Sequence, residues 1–257
     1  MAPVDIERRF AGLTRLYGVQ GARRIRRAHV AVVGVGGVGS WAAEALARSG
    51  VGTLTLIDLD HVAESNVNRQ VHALSSTLGM SKVRAMAERI GLIHPDAVVH
   101  CVEEFVEPDN WPGLLPHRVD AVIDACDQLN AKTAMAAWAM HAPALFLCVG
   151  AAGGKQRAER VEIADLSAVT HDPLLSKLRY RLRREHGAVR GTAPMGITCA
   201  FSREPVAGPD VPCDTGPGDG TLNCHGYGST VTVTATFGLC AAGRVLQQLA
   251  SHPGSAA

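Results

Sequence analysis

"HVAVVGVGGVGSWAAEALARSG", residues 29–50, decides the fold. An apolar run at 29–35 enters a glycine-rich turn, and an alanine-rich helix leaves that turn and stops at Gly50, where glycine caps helices well. Gly34, Gly36 and Gly39 fit the G-x-G-x-x-G spacing, and Gly37 is a fourth glycine in the same turn. Such a turn lets backbone amides approach phosphate oxygens, and the helix N-terminus behind it adds a favourable dipole. A second apolar run, "TLTLIDLD" at 53–60, completes strand, turn, helix, strand, the unit of a doubly wound parallel sheet.

Working outward, 81–94 has helical periodicity, "AVVHCVEEFV" and "HRVDAVIDACD" read as strands, "LNAKTAMAAWAMHA" as a helix and "ALFLCVGAAG" as a further strand. The expectation is an α/β, Rossmann-like, mostly parallel sheet of four or five strands with helices on both faces. Arginine-rich helical arms occupy 5–27 ahead of it. Past residue 165 the composition changes: 171–190 reads as a basic helix and 203–223 as a long Pro-, Gly- and Asp-rich loop expected to be mobile. "VTVTATFGLCAAGRVLQQLA" is apolar, but Arg244 interrupts it short of the roughly 18 to 20 residues a membrane span needs, so a buried helix is expected.

The 257 residues are 47% hydrophobic, ample for a core, and the net charge is only +1. The cysteines stand singly, without a C-x-x-C pair, which argues against structural zinc and for a reducing cytosol. No apolar segment follows the charged N-terminus "MAPVDIERRF", so no signal peptide is expected.

The glycine turn alone leaves the nucleotide open. Asp58, 19 residues after Gly39, suits the ribose of a nicotinamide dinucleotide or of ATP equally. The stretch "IDLDHVAESNVNRQVHALSSTLGMSK" then adds Asp60, Asn66, Asn68, Arg69, Gln70 and Lys82 near the carboxyl end of the second strand, where open α/β sheets bind ligands. Hydride transfer has little use for an arginine and a lysine there, whereas a triphosphate losing pyrophosphate does. Asp124 and Asp127 in "VIDACDQLNAK" are carboxylates suited to magnesium.

Together "RLYG", "GVGGVGSW", "IDLDHVAESNVNRQ", "GMSK" and "IDACD", in that order, resemble the adenylating enzymes related to ubiquitin-activating enzymes and to the bacterial activators of sulfur-carrier proteins. The resemblance implies ATP bound over Gly34, Gly36, Gly37 and Gly39, with Asp58 on the ribose, Asp60 nearby and Asn66, Arg69 and Lys82 at the phosphates. It implies Mg2+ on Asp127, and a homodimer in which Arg15 reaches the neighbouring subunit's site. The paired C-x-x-C zinc ligands of sulfur-carrier activators are absent from the sequence.

"RFAGLTRLYG", "GGVGSWAAEALARSG", "NRQVHAL", "DPLLSKLRYRLR" and "VTVTATFG" look like one branch, the tRNA threonylcarbamoyladenosine dehydratases. The resemblance implies cytoplasmic, ATP-dependent cyclisation of threonylcarbamoyladenosine beside the tRNA anticodon, by adenylation of its threonyl carboxylate. The alternative is adenylation of a ubiquitin-like sulfur carrier, with a cysteine-desulfurase-type partner. One adenylating domain, 1–257, is expected: an ATP-binding core at 1–165, a tRNA-facing basic helix and loop at 166–228, and a core helix at 229–250.

Leu175, Leu178 and Leu182 would seat the basic helix, leaving Lys177, Arg181 and Arg184 on an outer stripe; Lys177, Arg179, Arg181, Arg183, Arg184 and Arg190 are the expected tRNA contacts. Cys213 and Cys224, the latter beside His225, read as loop residues rather than acyl acceptors, because an internal nucleophile needs no thiol. His171 and Asp172 read as a helix cap. A sodium or potassium ion ordering 203–229 is left open.

Overall fold

The computed structural model describes residues 5–207 and 227–251. Helix α1 (Ile6–Arg27) carries the N-terminal arm and kinks at Gly18, whose φ of 70° favours glycine. Strand β1 (His29–Val33), helix α2 (Gly39–Arg48) and strand β2 (Thr53–Ile57) follow as expected. Gly50 takes the left-handed conformation just past α2, and the Phe10 ring packs against it.

Helix α3 (Lys82–Ile93), strands β3 (Val98–Val102) and β4 (Ala121–Asp124), helix α4 (Leu129–Ala139) and strand β5 (Leu145–Val149) complete the core. Strand β6 (Val161–Asp165), helix α5 (Pro173–Glu185), strand β7 (Thr198–Ser202) and helix α6 (Val231–Ser251) end the described chain.

The sheet has seven strands, in the order β3-β2-β1-β4-β5-β7-β6, with only β6 antiparallel to its neighbour. Four or five strands were expected. The two additions come from short runs after residue 160, and β7, inside the stretch read as basic helix and loop, is inserted between β5 and β6. The segment after 165 therefore belongs to the sheet itself.

Strands β1, β2, β4 and β5 are almost wholly buried, as parallel strands covered on both faces must be. One face packs on α1, α2, α3 and α6 through Ile25, Leu46, Met86 and Phe237. The other packs on α4 and α5 through Met135, Leu175, Leu178 and Leu182.

Strand order reverses between β1 and β4. Connections from these two neighbours leave toward opposite faces and open a crevice at their carboxyl ends, where ligands of such sheets sit. The glycine turn leaves β1 there, and the loop bearing Asp127 leaves β4.

Candidate active site

A cavity of about 500 Å³ occupies the crevice, a volume usual for small-molecule sites. Its walls include Gly34, Gly36, Gly37, Asp58, Asp60, Arg69, Gln70, Lys82 and Asp127, brought together from the three connections β1–α2, β2–α3 and β4–α4.

The glycines divide the work. Gly34 has φ of 81°, and a Cβ there would lie 2.9 Å from the Cys126 amide nitrogen. At Gly39 a Cβ would stand 1.8 Å from the Gly34 carbonyl oxygen, so this glycine serves close packing and does not line the cavity. At Gly36 a Cβ would meet only the Gln70 side-chain nitrogen, at 3.9 Å. The space over Gly36 is therefore open to the cavity.

Asp58 is buried where β2 ends. One carboxylate oxygen accepts the Val35 amide at 2.7 Å and the other the Asp60 amide at 2.9 Å, which ties β2 to the glycine turn. Burial pushes its carboxyl above the usual range, against the pull of Lys82 and of these amides. Lys82, buried at the start of α3, pairs with the exposed Asp60 at 2.7 Å. Arg69 is half-buried; its guanidinium donates to the Ser65 carbonyl at 2.7 Å and to Asn68 Oδ1 at 2.9 Å, and Trp41 holds its backbone by donating to the Arg69 carbonyl.

Gln70 is buried, and its side-chain oxygen has no hydrogen-bond partner among the described residues. Leaving such an acceptor dry costs about 1–3 kcal/mol, and the atom of Gln70 that stands over Gly36 is its side-chain nitrogen. Sequence reasoning named Gln70 only as one polar group of a rich stretch; its orphaned oxygen emerges only with the packing.

Two expectations change. Asn66 lies behind the wall, where its Oδ1 accepts the Ala63 amide and braces the loop that carries Arg69. Asp124, read as a second magnesium carboxylate, is fully buried and paired with fully buried Lys132 at 2.9 Å. It also accepts the Cys126 amide at 3.2 Å and the thiols of Cys126 and Cys148. With its oxygens so engaged, Asp124 shapes the loop that presents Asp127, and Asp127 is left facing the cavity. Cys126 reaches the same wall, but burial and then Asp124 push its thiol well above the usual range, so it is not a ready nucleophile.

Gly150 to Gly153 and Leu174 form the opposite wall with Tyr227, while Ser229 and Thr234 stand on the glycine-turn side, Thr234 3.4 Å from where a Cβ at Gly37 would lie and the Ser229 carbonyl accepting from Asn68 at 3.0 Å. Asp172 caps α5 by accepting the Leu175 amide at 2.9 Å, and its other oxygen accepts the Ala151 amide at 2.8 Å. The predicted cap thus also anchors that wall. His171, φ 59°, precedes it on the outer side.

Arg15 is exposed on α1 and does not line this cavity. On α5, Arg179 donates to the carbonyls of Leu166 and Val169, and Arg183 to those of Val189 and Gly191. Arg181 is half-buried against Asn130. The exposed basic residues of the expected set are Lys177, Arg184 and Arg190. Cys213, Cys224, His225 and most of the 203–229 loop, with the cation expected there, lie outside the described residues. Among the described residues no helix is long and apolar enough to cross a membrane.

Residues 8–256 match the ThiF family. The tRNA threonylcarbamoyladenosine dehydratase of Haemophilus influenzae is 40% identical over 254 residues, covering 97% of this chain and 96% of that protein. The Escherichia coli tRNA N6-threonylcarbamoyladenosine dehydratase TcdA, solved in complex with ATP, superposes with a TM-score of 0.85 at 39% identity, covering 95% of this chain and 94% of that one. A structure of the same enzyme with AMP gives a TM-score of 0.85, covering 96% and 98%.

Proposed function

The chain belongs to the ThiF family, and we propose that it is an ATP-dependent tRNA threonylcarbamoyladenosine dehydratase that activates the threonyl carboxylate as an adenylate. The observation that carries the nucleotide assignment is the cavity over Gly36, walled by Arg69, Lys82 and the Gln70 side chain, whose nitrogen stands over Gly36.

In this reading a carboxylate oxygen attacks the α-phosphorus of ATP, the bond to the bridging oxygen breaks, and pyrophosphate leaves. Arg69 and Lys82 hold the charge that moves onto the leaving group, and Asp58 holds the ribose. The ureido group of the same nucleoside then attacks the activated carbonyl. AMP leaves, a proton is lost, and a five-membered ring closes with net loss of one water. Because the nucleophile is tethered to its electrophile, positioning replaces a covalent enzyme intermediate.

Mg2+ fits the donor set: Asp127 faces the cavity as a hard oxygen ligand, and magnesium typically takes one or two carboxylates with phosphate oxygens. Such an ion would neutralise the phosphates. The homodimer reading is supported by exposed Leu16 and Val19 beside Arg15 on α1. An arginine outside its own cavity and next to an apolar strip suits entry into a second copy. A cytoplasmic setting suits a tRNA substrate.

The sulfur-carrier alternative makes a different prediction for the same cavity. A cysteine-desulfurase-type partner needs an acceptor, and Cys126, the cysteine lining the cavity among the described residues, is held protonated. Pyrophosphate release from ATP is expected to rise with threonylcarbamoyl-modified tRNA and to ignore unmodified tRNA. Stimulation by a small protein with a glycine-glycine tail, indifferent to tRNA, overturns the proposal in favour of that alternative.

A further inference from the structure

Helix α5 is seated by four leucines: Leu174, Leu175, Leu178 and Leu182 are all buried. Leu174 shares a face with Arg181, seven residues on, and so draws Arg181 inward. The outward stripe is instead Lys177, Tyr180 and Arg184, spaced three and four apart.

Tyr180 is 61% exposed, the most exposed aromatic side chain among the described residues. Aromatic residues make up only 4% of the sequence, and Phe10, Trp111, Phe201 and Phe237 are used in the core. Arg184 donates to the Tyr180 hydroxyl at 3.3 Å, with its guanidinium carbon 5.9 Å from the ring centroid. This contact sets Arg184 against the ring, with Lys177 three residues back on the same stripe, and leaves much of the ring open to solvent.

We propose that Tyr180 is a stacking platform for an unpaired nucleobase of the tRNA loop, flanked by phosphate contacts from Lys177 and Arg184. The inference rests on tRNA being the substrate. Bases in single-stranded loops are recognised by stacking on aromatic faces, and cations beside the ring meet the backbone that carries the base. The location fits. Leu174, at the start of α5, lines the cavity, and Tyr180 stands six residues along the helix, about 9 Å from it. A nucleoside delivering its carboxylate to the cavity leaves its loop neighbours over this face.

The test is binding of modified tRNA at several salt concentrations to the full chain and to Tyr180→Ala, Tyr180→Phe and Lys177→Ala variants. Tyr180→Ala is expected to weaken binding about tenfold while the dependence of log affinity on log salt stays parallel to that of the unaltered protein. Tyr180→Phe is expected to bind normally, because the ring remains. Lys177→Ala is expected to lessen the salt slope by about one.

Unaltered affinity in Tyr180→Ala overturns the proposal. So does a Tyr180→Phe variant as weak as Tyr180→Ala, which would make the hydroxyl the working group. A change of oligomeric state on gel filtration of Tyr180→Ala would assign the face to a protein interface instead. Failure of the unaltered protein to bind tRNA overturns the substrate reading; an indifferent Tyr180→Ala beside a binding parent removes only the stack.

Discussion

Asp124 and Asp127 stand three positions apart and do opposite work. Asp127 faces the cavity, and Asp127→Ala is expected to abolish tRNA-dependent pyrophosphate release while leaving tRNA affinity nearly unchanged, read by comparing turnover with binding. Asp124 is spent on Lys132 inside the protein. Lys132→Met strands a buried carboxylate, so a loss of about 3–5 kcal/mol is expected in urea unfolding; adding Asp124→Asn should recover much of it.

His72 is buried with neither ring nitrogen hydrogen-bonded among the described residues. Burial, then repulsion from Lys82 and Arg89, push its pKa from 6.5 down to about 4. Between those values the unfolded chain takes the proton and the folded one does not, so His72 favours the folded state fully above pH 6.5. This contribution, about 3 kcal/mol for a pKa so displaced, fades as the pH falls below 6.5 and is gone once it has passed through 4. A denaturation series over that window should show the fall, and His72→Phe should flatten it.

Among elements, the β1–turn–α2–β2 unit was legible because each signal is local: an apolar run, a glycine spacing, a capping glycine. Which glycine does what was not, since spacing is blind to what approaches each Cα. Gly39→Ala drives a methyl group into the Gly34 carbonyl and should prevent stable folding. Gly36→Ala should keep stability within about 0.5 kcal/mol yet weaken ATP binding about tenfold or more, as phosphate loses its cradle; calorimetry of both binding and melting separates the two. Strand β7 was hidden because five residues with polar ends carry no periodicity, and β6 because it is a partly exposed antiparallel edge. The turn of α5 was misread by one arc: three leucines fix a face, and the fourth, Leu174, rotates it and replaces Arg181 with Tyr180 on the outer stripe.

At the scale of the whole molecule, the sheet's reversal between β1 and β4 gathers Gly36, Asp58, Arg69, Lys82 and Asp127 from across the first half of the chain onto one crevice. Their order in the sequence named these residues, and only the fold could show that Asn66 and Asp124 stand behind the wall or that the Gln70 oxygen is buried without a partner among the described residues. The far wall comes from β5 onward, so the segment after residue 165 shares one sheet with the cavity. The most direct test of this account is mass spectrometry of nucleosides from threonylcarbamoyl-modified tRNA incubated with the protein, ATP and magnesium. The modified nucleoside is expected to lose the mass of one water as AMP accumulates; AMP without that loss, or no change in either, contradicts the account.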